Sequence, residues 1–169
     1  MQKTNQKNLP NKNLEIEKKF LVDRNIWQQS ILRKNASCHT IVQGYITTQP
    51  QGTVRIRTKD TQAFLTIKGK AIGITRAEFE YPIPYEDAQK MLSAFTKRHI
   101  VKKRYVFTYK GFTWELDEFE GEQSPLILAE VELTSEKENP ICPDFITEDV
   151  SEDIRYTNSF LSQKPYPTW

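Results

Sequence analysis

The run Leu14-Glu15-Ile16-Glu17-Lys18-Lys19-Phe20-Leu21-Val22 decides how the rest of the chain is read. Alternate side chains of a strand point to opposite sides of its sheet, so Glu15, Glu17 and Lys19 share one face while Ile16 and Lys18 share the other. The same two-residue spacing of charge recurs downstream. Arg55 and Arg57, Arg76 with Glu78 and Glu80, Lys102 and Arg104, Glu115 and Asp117, and Glu130 and Glu132 all repeat it, and Lys68 stands alone in its own run. Between them lie Val54, Ile56, Phe79, Tyr81, Val101, Tyr105, Leu116, Val131 and Leu133. Each run therefore has a charged face and a largely apolar face.

A sheet with one face in water accounts for any single pair. It does not account for the set, because a solvated face mixes Thr, Ser, Gln, Lys and Glu and does not sort carboxylates and cations onto separate strands. Eight β-favouring runs carry the pattern: Leu14 to Val22, Thr40 to Thr48, Thr53 to Lys59, Ala63 to Gly69, Ile74 to Ile83, Ile100 to Tyr109, Phe112 to Phe119 and Leu126 to Thr134. Most are joined by turns such as Gln49-Pro50-Gln51-Gly52 and Lys110-Gly111, as in an antiparallel meander. Eight strands can close. The expected fold is mainly β (α+β): an eight-stranded antiparallel closed β-barrel, or tunnel, with a charged lumen and helices packed outside. Three helices are expected, over Asp23 to Arg33, Pro84 to Lys97 and Ser151 to Ser162, and Ser135 to Asp149 reads as a loop containing Pro140 and Pro143.

Bulk composition narrows the function class. The chain has 169 residues with 24 Lys and Arg against 22 Asp and Glu, a formal charge of +2, which argues against a general nucleic-acid or membrane-surface binder. Its length suits one domain. Residues 1–13 are polar and without periodicity and read as a flexible tail, leaving one domain over 14–169 that ends with the helix near 151–162. No apolar run approaches the roughly 18 residues of a membrane span, and no secretory signal opens the chain. Cys38 and Cys142 make no disulfide framework or zinc spacing, so a cytoplasmic location is expected.

Charge buried in a lumen must be paired or hold ligands. The two Glu-x-Glu pairs, Glu15 with Glu17 and Glu130 with Glu132, supply hard oxygen donors suited to Mg²⁺ or Mn²⁺ and too hard for zinc. Lys19, Arg55, Arg57, Lys68, Arg76, Lys102 and Arg104 suit a polyanion with several oxygens. Together these point to a polyphosphate beside a divalent ion, the arrangement of metal-assisted phosphoryl hydrolysis. His39 and His99 read as surface or turn residues, and Trp27 and Trp114 as packing aromatics.

Glu15-Ile16-Glu17-Lys18-Lys19 matches the Glu-x-Glu-x-Lys signature of the CYTH superfamily, the triphosphate tunnel metalloenzymes. Thr53 to Arg57, Leu65 to Gly69, Arg76 to Tyr81, Lys102 to Tyr105, Trp114 to Asp117, Ala129 to Leu133 and Asp153 to Tyr156 with Asn158 resemble that family's successive blocks in order. The length, the Gln43-Gly44-Tyr45 block and Arg155-Tyr156 are most similar to its compact bacterial members that hydrolyse inorganic tripolyphosphate. The resemblance implies that Glu15, Glu17, Glu130 and Glu132 hold the metal and, with Lys19, form the catalytic set. It implies that Lys19, Arg55, Arg57, Lys68, Lys102 and Arg104 bind the triphosphate, and that Arg155 reaches it from a C-terminal helix at one tunnel mouth. Glu80 and Asp117, and with them Glu78 and Glu115, would orient these groups, and Tyr45 would cover the substrate. Lys18 and Lys103 fall on the outer face by parity. The expected partner is a small triphosphate, with neither nucleic acid nor membrane, and with a homodimer left open. Thiamine or nucleoside triphosphate hydrolysis, cyclisation of ATP, and a non-catalytic polyphosphate-binding module are the alternatives.

Overall fold

The computed structural model describes residues 13–168. Nine strands form one antiparallel sheet: β1 (Leu14–Val22), β2 (Ser37–Gln49), β3 (Gly52–Lys59), β4 (Gln62–Gly69), β5 (Thr75–Pro82), β6 (His99–Tyr109), β7 (Phe112–Phe119), β8 (Ile127–Glu132) and β9 (Ile146–Asp149). Their order is β5-β4-β3-β2-β6-β7-β8-β1-β9, and a further β5–β1 pairing closes the first eight into a barrel. Closure is short, running from Leu14↔Ala77 to Ile16↔Thr75. Further along β1, Phe20 and Val22 pair with β9 instead. The expected eight-stranded barrel is therefore present, with one strand added in the segment read as a loop. The tail expected over 1–13 lies, apart from Asn13, outside the described residues.

Apolar faces point outward and most are covered, while Ile67 on β4 and Tyr81 on β5 stay exposed. Trp27, on the short helix α1 (Arg24–Gln29), is fully buried against Tyr105, Phe107 and Phe145, with ring centroids 5.4, 5.7 and 5.0 Å away. Its indole Nε1 donates to Glu118 at 2.7 Å, so the buried ring keeps its polar atom satisfied. A second short helix, α2 (Ile31–Asn35), follows immediately; α3 (Tyr85–Phe95) lays Ala88 and Leu92 on Ile56 and Ala63. The expected helix over Asp23 to Arg33 is broken because Ser30 has an extended ψ of 137° and uses its hydroxyl to cap α2.

The C-terminal helix is also two pieces, a 3-10 turn (Ile154–Tyr156) and α4 (Asn158–Leu161). Asp153 caps the first and Thr157 the second, and extended backbone at Thr157 separates them. Leu161 is buried with Ile100, Phe119 and Leu128, and its carbonyl accepts from Gln123 Nε2 at 2.8 Å. The chain beyond the barrel is thus pinned across one of its ends. The β6–β7 hairpin turns through Lys110 and Gly111, with φ of 50° and 86°, the left-handed pair that a tight two-residue hairpin requires. No helix among the described residues is long and apolar enough to cross a membrane.

Candidate functional site

A cavity of about 690 Å³ runs through the barrel. Each wall is made by the strand face anticipated from parity: Glu15, Glu17 and Lys19 from β1; Arg55 and Arg57 from β3; Lys68 from β4; Arg76, Glu78 and Glu80 from β5; Arg104 from β6; Glu115 from β7; Glu130 and Glu132 from β8; and Tyr45 from β2. In the ring of eight strands β3 and β8 are four positions apart, so the arginines of one face the carboxylates of the other. Lys18 and Lys103 lie outside the cavity wall.

The lumen charges are paired with each other. Lys68 Nζ donates to both oxygens of Glu15 at 2.9 Å, and Arg76 donates through Nε to Glu15 at 2.6 Å and through Nη2 to Glu17 at 2.9 Å. Lys19 Nζ donates to Glu130 at 2.5 Å, and Arg104 Nη2 to the other oxygen of Glu130 at 2.9 Å. On the opposite wall Glu80 accepts from Arg57 at 2.8 Å, from Arg55 at 3.3 Å and from the hydroxyl of Thr66 at 2.8 Å.

Titration follows from this pairing. Burial alone would lift the carboxyls of Glu15, Asp117 and Glu130, but the neighbouring Lys and Arg outweigh it and hold all three below the usual range. Burial would discharge Lys19, yet Glu130 and Glu17 keep its ammonium above its ordinary value. Two carboxyls move the other way. Burial, with Glu15 beside it, pushes Glu78 up to about 7. Burial also raises Glu132, reinforced by the charges of Glu115, Glu15 and Glu17.

Glu132 has no cation within 4.0 Å among the described residues, whereas Glu15, Glu17 and Glu130 each do. Among the described residues no three acidic, His or Cys side chains stand together as a group able to hold a metal. The donor chemistry nevertheless fits a hard divalent cation: Glu15 and Glu17 on β1 and Glu130 and Glu132 on the adjacent β8 all line the cavity, with Glu132 registered on Glu17 and Glu130 on Lys19. The mutual repulsion felt at Glu132 is what such a cation relieves.

Three expected site residues sit apart from the cavity wall. Lys102 and Asp117 point inward but are 1% and 0% exposed. They bond to each other, Lys102 also donates to Asn158 at 3.3 Å, and Asp117 accepts from Arg104 at 2.7 and 2.6 Å. They form a buried brace behind the wall. Arg155 is held at the surface by Asp153, whose carboxylate accepts from its backbone N–H and from its guanidinium at 3.0 Å. The 3-10 turn that replaces the expected helix therefore directs Arg155 away, and Thr157, Asn158 and Ser159 line the cavity at that end instead. Outside the expected set stand Lys59, a wall residue that shares the parity of Arg55 and Arg57, and Thr66, which shares the parity of Lys68 and donates its hydroxyl to Glu80.

A family model described as the CYTH domain matches residues 13–161. An inorganic triphosphatase of Acetivibrio thermocellus is 40% identical over 153 residues, spanning 90% of this chain and 95% of that protein. One from Nitrosomonas europaea is 35% identical over 154 residues, spanning 88% and 96%. A crystal structure of an inorganic triphosphatase superposes with a TM-score of 0.63 at 34% identity, covering 88% of this chain and 93% of that one. A Pyrococcus horikoshii protein at 19% identity shares the fold, with a TM-score of 0.57 over 72% of this chain and 79% of that one.

Proposed function

The chain belongs to the CYTH domain family, and from that premise and the charges of its lumen we propose that it hydrolyses inorganic tripolyphosphate to pyrophosphate and phosphate with a divalent metal ion, Mg²⁺ or Mn²⁺. The observation that carries this reading is the sorted cavity, in which Arg55 and Arg57 on β3 face Glu130 and Glu132 on β8. A pure anion binder has no use for the carboxylate wall, and a metal store has none for the cationic one.

Glu15, Glu17, Glu130 and Glu132 would hold the metal, which when bound polarises phosphoryl oxygens and acidifies water at neutral pH. The chain's own part is an exchange of partners. Lys68 and Arg76 neutralise Glu15, and Lys19 neutralises Glu130. Phosphate oxygens of an entering triphosphate would take over these ammonium and guanidinium groups, leaving the four carboxylates as the residues that would hold the cation. The lumen is thus kept charged but internally compensated, so binding exchanges ion pairs for ion pairs and leaves no bare buried charge. Arg55 and Arg57 are fixed by Glu80 and Thr66 and take up negative charge along the chain as the anhydride bond breaks. Tyr45, on the wall beside Arg55, closes the site over the substrate. Phosphorus NMR of the reaction mixture tests the proposal: one pyrophosphate should appear for each phosphate, and excess chelator should stop both. Products in any other ratio argue for another reaction.

A further inference from the structure

Seven cations line the cavity, and six of them have a carboxylate within 4.0 Å: Lys19, Arg55, Arg57, Lys68, Arg76 and Arg104. Lys59 is the exception among the described residues. It ends β3, two residues beyond Arg57 and four beyond Arg55, so the three cations form one row on the inner face. The adjacent acid, Asp60, makes no ion pair with it within 4.0 Å; its carboxylate is held instead by His39 at 2.6 Å and by the backbone N–H of Thr40 at 2.9 Å.

Position adds to this. The C-terminal segment crosses the end of the barrel where β3 begins, with Gln163 donating to Thr48 at 3.0 Å and Thr48 registered on Thr53. Lys59 lies six residues further along β3, about 20 Å away at a strand's usual rise, at the opposite mouth beside Thr113 and Thr134. An anion arriving there meets an ammonium that has no ion pair to give up. Lys19, Lys68 and Arg76, deeper in, already hold carboxylates of Glu130, Glu15 and Glu17.

Resting on the tripolyphosphate reading, we propose that Lys59 is the entry-side binding residue of the tunnel: it captures the incoming polyanion at the mouth opposite the C-terminal segment and then holds the outermost phosphoryl group, with Arg57 and Arg55 binding those further in. The contribution is Coulombic and at a mouth, so it acts mainly on capture and fades with salt.

The test is calorimetric titration of the metal-free protein with sodium tripolyphosphate at 0.05 and 0.5 M ionic strength, paired with steady-state phosphate release in Mg²⁺ and Mn²⁺. The proteins are wild type, Lys59→Gln, Lys59→Arg and Lys103→Gln, the last removing an exposed outer-wall charge that sits 3.7 Å from Glu120. Lys59→Gln should weaken binding and raise KM about fivefold to tenfold at low salt, as expected for the loss of one charge-assisted contact. The gap should narrow at high salt, Lys59→Arg should restore binding, and Lys103→Gln should match wild type. Equal affinities for wild type and Lys59→Gln at low salt, or an equal loss in Lys103→Gln, would overturn the assignment. If wild type binds the anion but releases no phosphate, the hydrolytic reading fails while Lys59 is still judged by its affinities; if wild type does not bind it, both fall.

Discussion

Replacing Asp117 by Asn removes one negative charge from the most deeply buried ion cluster of the barrel while keeping the side chain's shape. The carboxylate is inaccessible, accepts from Arg104 at 2.7 and 2.6 Å, and also accepts from Lys102, itself 1% exposed. With Asn there, two buried cations share less counter-charge and meet an amide NH₂ that can only oppose their own donors. Breaking a buried pair from one side destabilises by about 3–5 kcal/mol. At about 2–4 °C per kcal/mol for a domain of this size, the melting temperature should fall by about 6–20 °C. Thermal melts followed by fluorescence of the fully buried Trp27 and Trp114 read this directly. The double replacement Lys102→Met with Asp117→Leu removes one charge of each sign and should be clearly less destabilising than Asp117→Asn. A single variant melting within about 2 °C of wild type, or a double variant less stable than the single one, would show that the Lys102–Asp117–Arg104 cluster does not depend on the charge of Asp117.

Other consequences follow from the same charges. Glu132→Gln should leave the metal-free protein as stable as wild type or slightly more so, because Glu132 has no cation within 4.0 Å among the described residues and is crowded by Glu115, Glu15 and Glu17, while lowering turnover of tripolyphosphate by about a hundredfold or more; melts and phosphate-release rates on the same preparation check the split. Stability should also depend on pH with a defined sign. The depressed carboxyls of Glu15, Asp117 and Glu130 stabilise the fold above their unfolded values of about 4, and that contribution is lost as pH falls through the lower folded values. Glu78, raised to about 7, acts in the opposite sense, favouring the fold below its unfolded value and losing that contribution as pH rises through 7. Melting temperatures of the metal-free protein from pH 3 to 9 should therefore pass through a maximum between about 4 and 7; a monotonic rise across that range would contradict the assignment of Glu78.

Strand parity made most of the barrel legible, because a two-residue period states a face without reference to any partner. It placed Glu15, Arg57 and Glu132 on the cavity wall and kept Lys18 and Lys103 off it. Parity is silent about depth. Nothing local distinguishes Arg104, which reaches the cavity, from Lys102, which is sealed behind it by Asn158 from a segment 56 residues away. Ile146–Asp149 is not legible because four residues just after Pro143 carry too little alternation to read as a strand, and it exists only through its pairing with β1. The C-terminal helix was misjudged for a different reason. A continuous helix over Ser151 to Ser162 would put Asp153 and Thr157 in its interior, whereas Asp153 caps the 3-10 turn and Thr157 caps α4, and that break turns Arg155 outward.

The proposed reaction in this cavity is hydrolysis of a bare phosphate chain. The most direct measurement is initial-rate phosphate release from inorganic tripolyphosphate, thiamine triphosphate, ATP and pyrophosphate, each with Mg²⁺ and with Mn²⁺, alongside an assay for cyclic AMP. Tripolyphosphate should be cleaved fastest, with no release in chelator and no cyclic nucleotide. Faster release from ATP or thiamine triphosphate, or an inert tripolyphosphate under both metals, would contradict the account.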